Sequence, residues 1–160
     1  MQTEKINHRT TAKKSDFSFD NTDSTGFLLW QVTNLWQREI KKALEKFDLT
    51  HSQFALLACV HWLTLEKQEA TQILLSNHTK IDPMTTSTVL KTLHKKGLIK
   101  RQEHQTDTRA KTVTLTELGL KNTRQAIKTV EQFDRHFFGV IDKQLTRFNQ
   151  NLTELIGNEK

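Results

Sequence analysis

The chain predicts a mostly α-helical fold that carries one small β-hairpin. Three observations lead there. Apolar residues recur at three- and four-residue spacing from Phe27 to Phe47, and again near both the middle and the end of the chain. Between about residues 98 and 116 the period changes: Val113 and Leu115 alternate with Thr112, Thr114 and Thr116, as in a half-buried strand. A single Pro and five Gly in 160 residues leave room for long helices.

Residues 1–24 are polar and mixed in charge, without an apolar period, and read as a disordered arm whose large aromatics are Phe17 and Phe19. Residues 25–48 form the first helix, which Ser24 or Thr25 can cap. Its stripe is Leu28, Val32, Leu35, Trp36, Ile40, Ala43, Leu44 and Phe47. Phe27, Leu29 and Trp30 widen that stripe beyond one core-facing side, so the helix is expected to bury a second face on another chain. Thr50-His51-Ser52-Gln53 is a capping box that opens a second helix reaching Leu65, with Leu56, Leu57, Val60 and Leu63 inward. Residues 69–77 read as a short third helix and residues 77–80 as a turn.

Asp82 is an N-cap, and Pro83 sits at the first helical position, where its missing N–H costs nothing. The fourth helix ends at Gly97. Val89, Leu90 and Leu93 form its inner face, while Thr85, Ser87, Thr88, Lys91, Thr92 and Lys95 lie on the other. Short helix, turn and capped helix make the helix-turn-helix pattern. Two strands follow, LIKRQE and KTVTL, joined by HQTDTRA. Thr116 caps a fifth helix to about Phe138, and Gly139 interrupts it. A sixth spans about Val140 to Ile156. Its stripe of Ile141, Leu145, Phe148, Leu152 and Leu155 has no partner in a domain of this size, so helix packing between subunits is expected. The organisation is an arm (1–24), a dimerisation helix (25–48), a winged helix-turn-helix region (49–116) and dimerisation helices (117–157).

The charge is concentrated. The chain carries a formal net charge of +6. From Lys91 to Lys111 seven basic residues meet two acidic ones, Glu103 and Asp107. A helix followed by a basic hairpin has the shape and field to meet a nucleic-acid duplex, one element in a groove and the other along phosphates. Lys95, Lys96, Lys100, Arg101 and Lys111 read as phosphate contacts, which position a protein without reading sequence. No run approaches the ~18 apolar residues of a membrane span. The N-terminus lacks the apolar core of a signal peptide, so a cytoplasmic protein without membrane partners is expected. Cys59 is the one cysteine and cannot form an intramolecular disulfide.

These residues resemble the MarR family of winged-helix transcriptional regulators, over about Phe27 to Ile156. The most specific segments are IDPMTTSTVLKTLHKKGLIKR (Ile81 to Arg101) and DTRAKTVTLTELG (Asp107 to Gly119). The second is similar to the family's wing signature, here Asp107, Arg109, Leu115, Thr116 and Gly119. The resemblance implies a homodimer made by the N- and C-terminal helices and bound to a palindromic operator in double-stranded DNA. The fourth helix would enter the major groove, Arg109 the adjacent minor groove, and Asp107 would orient the wing. Where members often carry a Gly before the recognition helix, this chain has Lys80. Where many carry an Arg in that helix, it has Thr88 or Thr92. Base readout would then rest on Thr85, Thr86, Ser87, Thr88 and Lys91, with much of the specificity coming from groove shape read by Arg109.

Trp30, Trp36, His61 and Trp62 are the candidate lining of a pocket for a small aromatic or anionic effector, against a plain reading as core and interface aromatics. Cys59 is either an oxidant sensor or a small buried hydrophobe. The seven histidines form no close His/Cys pair at i, i+4 with a supporting carboxylate, so no metal and no cofactor is expected. No nucleophile with a base, phosphate-binding glycine loop or carboxylate pair in an apolar setting is present, so an enzyme is not expected. A DNA-binding repressor released by an effector is the leading expectation. A regulator without an effector, or a winged-helix interaction module with no DNA role, stands beside it.

Overall fold

The computed structural model describes residues 24–103 and 111–158. The chain divides into two compact units, residues 1–35 and 36–160. Helix α1, Thr25–Glu45, runs across that division. In the first unit the Leu28 N–H donates to the Ser24 carbonyl at 2.9 Å, which starts the helix. The Phe27 and Trp30 rings stack with centroids 6.0 Å apart. Phe27, Leu28, Leu29, Trp30, Val32 and Leu35 are all exposed.

The second unit is built around α2, His51–Leu65, whose Leu56, Leu57, Val60 and Leu63 are buried as their spacing predicts. Its capping box is formed: the Gln53 N–H donates to Thr50 Oγ1 and the Thr50 N–H to Gln53 Oε1, both at 3.2 Å. Helix α1 stops just before it in a Schellman turn. The Asp48 N–H donates to the Glu45 carbonyl and the Leu49 N–H reaches the Leu44 carbonyl, with Asp48 left-handed at φ +51°. Ile40, Leu44 and Leu49 enter the core there.

Helix α3, Gln72–Thr79, begins and ends later than its sequence suggests. The start is delayed because Ala70 and Thr71 pair with the hairpin. The Val113 N–H donates to the Ala70 carbonyl at 2.8 Å, and Thr71 bridges Thr112. Thr71 then caps α3, its Oγ1 accepting from the Leu74 N–H at 3.3 Å. Lys80 ends α3 in the left-handed conformation, φ +58°, so a lysine fills the position often occupied by glycine.

Helix α4 spans Pro83–Lys95 and ends in a second Schellman turn at Gly97, φ +70°. Strands β1, Ile99–Glu103, and β2, Lys111–Leu115, pair antiparallel with Ile99 opposite Leu115 and Arg101 opposite Val113. Helix α5 is Glu117–Phe137. Thr116 caps it, accepting from the Gly119 N–H at 2.9 Å while its hydroxyl donates to the Gly97 carbonyl at 2.7 Å.

The last helix, α6, starts at Leu145 rather than Val140 and ends at Gly157. A 3-10 segment, Phe138–Gln144, precedes it, with a non-helical break at Ile141. Ring contacts from Phe133 through Phe137 and Phe138 to Phe148 hold this corner, and no local pattern announces them. No residue of α6 is buried. Among the described residues no helix is long and apolar enough to cross a membrane.

Candidate nucleic-acid interface

The α3-turn-α4 joint is made by two hydroxyls that converge on one carbonyl. Ser76 Oγ donates to the Ile81 carbonyl at 2.6 Å from α3, and Thr86 Oγ1 donates to it at 3.2 Å from α4. Both side chains are buried, Thr86 completely. Thr86 therefore cannot reach a base edge, which corrects its place among the predicted contacts. It lies on the inward stripe with Leu90 and Leu93, at i+4 and i+7. Asp82 Oδ1 accepts from the Thr85 N–H at 2.9 Å, and hydrogen bonds from Thr85 hold the carboxyl below the ordinary carboxylate range.

The outer side of α4 presents Thr85, Thr88, Lys91 and Lys95, all exposed, with Ser87 and Thr92 half-buried. Met84 stands beside them, 81% exposed. It was not among the residues expected on this face, although its position in the first turn of a helix with Leu90 and Leu93 inward places it outside. The Thr88 hydroxyl donates to the Met84 carbonyl at 3.1 Å and the Thr92 hydroxyl to the Thr88 carbonyl at 3.2 Å. The donors are thus used within the helix, while the methyls and acceptor lone pairs remain.

In the hairpin, Lys100 and Lys111 are exposed. Arg101 is not a free phosphate arm. It is half-buried, and its Nη2 donates to Gln72 Oε1 at 3.2 Å, tying β1 to the first residue of α3. Strand parity explains this, since Arg101 shares the inward face of Ile99. Lys96 departs from its predicted role as well: its Nζ lies 2.9 Å from Asp48 Oδ2 and donates to Gln53 Oε1 at 3.3 Å. Asp107 and Arg109 lie outside the described residues, as do His104 and residues 1–23 of the arm.

The candidate pocket residues of the second unit, Trp36, His61 and Trp62, do not converge on one site. Trp36 donates its indole N–H to Asp134 Oδ1 at 2.9 Å and sets its ring edge-on to His51, with centroids 4.7 Å apart. Trp62 instead contacts His78, with centroids 5.2 Å apart. His51 and Trp62 are separated by most of α2, roughly 16 Å along its axis. His61 is half-buried on the same helix, and Trp30 belongs to the first unit. Burial pushes the His51 pKa down, with the nearby Asp134 charge opposing. Burial pushes the Cys59 thiol up, which favours the hydrophobe reading over the sensor. Among the described residues no group of three or more His, Cys, Asp and Glu could hold a metal.

A buried-hydroxyl helix-turn-helix, a basic outer helix face and a two-stranded wing define a winged helix-turn-helix protein. The ArnR1-like winged-helix domain family matches residues 45–133. The chain is 41% identical over 145 residues to YdcH, an uncharacterized HTH-type transcriptional regulator of Bacillus subtilis, covering 91% of this chain and 97% of that one. Its fold is similar to that of CouR from Rhodococcus jostii RHA1 bound to p-coumaroyl-CoA, with TM-score 0.77, 22% identity and coverage of 89% and 99% of the two chains. It is also similar to S. aureus MepR in complex with DNA, with TM-score 0.75, 21% identity and coverage of 86% and 98%. The chain belongs to the ArnR1-like winged-helix domain family, is related to HTH-type transcriptional regulators, and has the fold of the MarR family of regulators.

Proposed function

We propose that the protein is a cytoplasmic homodimer that represses transcription by binding a palindromic operator and leaves it when a small aromatic or anionic effector binds. The observation that carries the DNA part is the outer face of α4. Thr85, Thr88, Lys91 and Lys95 are exposed on one rigidly capped helix, with Lys100 and Lys111 on the adjoining hairpin. Met84 and the threonine methyls suit thymine methyl groups, and their hydroxyl lone pairs suit base amino donors. In this reading Ser87 and Lys91 add polar contacts, Lys95, Lys100 and Lys111 meet phosphates, and Arg109 reads a narrow minor groove with Asp107 orienting the wing.

The dimer reading is supported by apolar surface that is exposed among the described residues. Trp30 is 63% exposed, and Phe27, Leu28, Leu29, Val32 and Leu35 accompany it on α1. In α6, Leu155 and Ile156 are exposed. Contiguous apolar surface of this kind marks an interface. A two-fold dimer would carry two α4 helices, which fit successive major grooves when they lie about 34–36 Å apart. An effector releases DNA only by binding a wrongly spaced state better. CouR was crystallised with p-coumaroyl-CoA, which supports an effector reading.

The test is fluorescence anisotropy on random-sequence and A·T-rich palindromic duplexes over a salt series, with the mass in solution measured in parallel. A dimer with a steep negative salt slope and roughly a thousandfold preference for one palindrome supports the proposal. No binding at low salt would favour an interaction module. Specific binding that no aromatic or anionic compound weakens would favour a regulator without an effector.

A further inference from the structure

We infer that Lys96 is a positioning residue: it braces the C-terminal end of α4 against the α1–α2 turn and so sets the angle at which α4 meets DNA. This rests on the DNA-binding reading above.

By charge alone Lys96 belongs with the phosphate contacts. Its geometry says otherwise. A lysine ammonium has three hydrogens and no acceptor. Three oxygens meet this one: Asp48 Oδ2 at 2.9 Å, the Asp48 carbonyl, and Gln53 Oε1 at 3.3 Å. Its donor capacity is therefore used inside the protein. These bonds, from one donor to two acceptor residues, join three helices. Asp48 is the left-handed residue that closes α1. Gln53 is buried, and the same amide oxygen accepts the Thr50 N–H in the cap of α2. Lys96 itself is the C-cap of α4, its N–H bonded to the Thr92 and His94 carbonyls.

The position gives the brace leverage. Base edges are read from the N-terminal part of a recognition helix. Lys96 holds the opposite end of a 13-residue helix, which is about 20 Å long. A small tilt at Lys96 shifts Thr85 and Thr88 sideways across the groove. The brace thus acts on fit to a sequence and not on the count of neutralised phosphates. Asp48 makes sense in the same terms: a C′ position favours Gly or Asn for its backbone, and the carboxylate adds an ion partner for α4.

The experiment compares Lys96→Met, Asp48→Asn, the double variant and Lys95→Met. The probes are the tightest duplex recovered from a random-sequence pool and a scrambled duplex of equal length, each over a salt series. Methionine keeps the apolar stem, and asparagine tolerates the left-handed backbone. Lys96→Met should weaken the selected duplex by about threefold to fivefold, as expected for a partly exposed ion pair. The scrambled duplex and the log–log salt slope should not change. Asp48→Asn should give a smaller loss of the same kind, and the double variant should be no worse than Lys96→Met. Lys95→Met should weaken both duplexes and reduce the slope by about 0.9 per subunit.

The inference is overturned if Lys96→Met behaves like Lys95→Met, because that is the signature of a phosphate contact. It is overturned equally if the selected duplex is bound as tightly as by wild type. Should Lys96→Met fail to fold, Asp48→Asn decides alone, and an unchanged preference for the selected duplex refutes the brace. Wild-type protein that binds neither duplex at low salt would sink the DNA reading itself, an outcome visible before any substitution is made.

Discussion

Gly119→Ala should destabilise the protein, against the usual effect of alanine in a helix. Gly119 is the third residue of α5 and is buried. A β-carbon there would overlap the Leu98 carbonyl oxygen, with backbone and not a movable side chain in the way. Relief requires the first turn of α5 to move off Leu98. That movement strains three bonds at once: the Gly119 N–H to Thr116 Oγ1, the Thr116 N–H to the Leu98 carbonyl and the Thr116 hydroxyl to the Gly97 carbonyl. Overpacking costs about 1–3 kcal/mol, and a weakened cap about 1 kcal/mol. One further hydrogen bond is worth about 1 kcal/mol. The gain in helix propensity returns about 1 kcal/mol. The net loss is roughly 2–4 kcal/mol. Gly26→Ala is the counterpart, because a β-carbon there meets nothing within 4 Å and the residue lies in the first turn of α1. It should be neutral or stabilising by up to about 1 kcal/mol. Urea unfolding at fixed protein concentration measures both, as shifts in midpoint at constant slope. A Gly119→Ala protein as stable as wild type would mean that α5 is not seated on the hairpin as described.

Three further outcomes follow from the site. Thr86→Val should lose about 1 kcal/mol in urea unfolding while leaving base preference intact, because its buried hydroxyl serves Ile81, whereas Thr88→Val should shift base preference at nearly constant stability. His51 has its folded pKa pushed below the ordinary 6.5, so the unfolded chain takes the proton first. Its stabilising contribution is complete above pH 6.5 and declines as pH falls from there toward the folded value, so the urea midpoint should drop on acidification more steeply in wild type than in His51→Gln. Cys59, with its thiol pKa raised by burial, should react with an aromatic disulfide reagent at pH 7.5 at least about tenfold more slowly folded than unfolded, and mild peroxide should leave duplex binding unchanged.

The parts of this fold that were legible in the sequence are those whose partners lie within a few residues. Thr50 with Gln53, Asp82 with Thr85, and Thr116 with Gly119 each close a cap in a single turn, so residue type and spacing determine them. The start of α3 and the start of α6 were misplaced for the opposite reason. Thr71 is held by Thr112, and the corner before α6 by rings from Phe133 to Phe148. Such contacts leave no local period to read. Two inward residues of the interface are legible from local pattern as well. Thr86 follows the Leu90 and Leu93 stripe, and Arg101 follows the inward parity of Ile99, so the patterns already used for the core exclude both from a free surface.

Lys96 could not have been recognised this way, because its acceptor at Asp48 is 48 residues away. Counting charge treats every cation as available, and the structure distinguishes them. Six basic residues of the segment from Lys91 to Lys111 are described, and two of them, Lys96 and Arg101, are bonded within the protein. Lys91, Lys95, Lys100 and Lys111 remain. Full engagement of six cations would give a log–log salt slope near −5 per subunit, and engagement of four would give roughly −3.5. Any contribution of Arg109 is common to both cases, so the difference is read by comparing the wild-type slope with that of a Lys96→Met, Arg101→Met protein. A slope from these residues nearer the larger value would mean that DNA takes Lys96 and Arg101 from Asp48 and Gln72, and that the brace opens on binding.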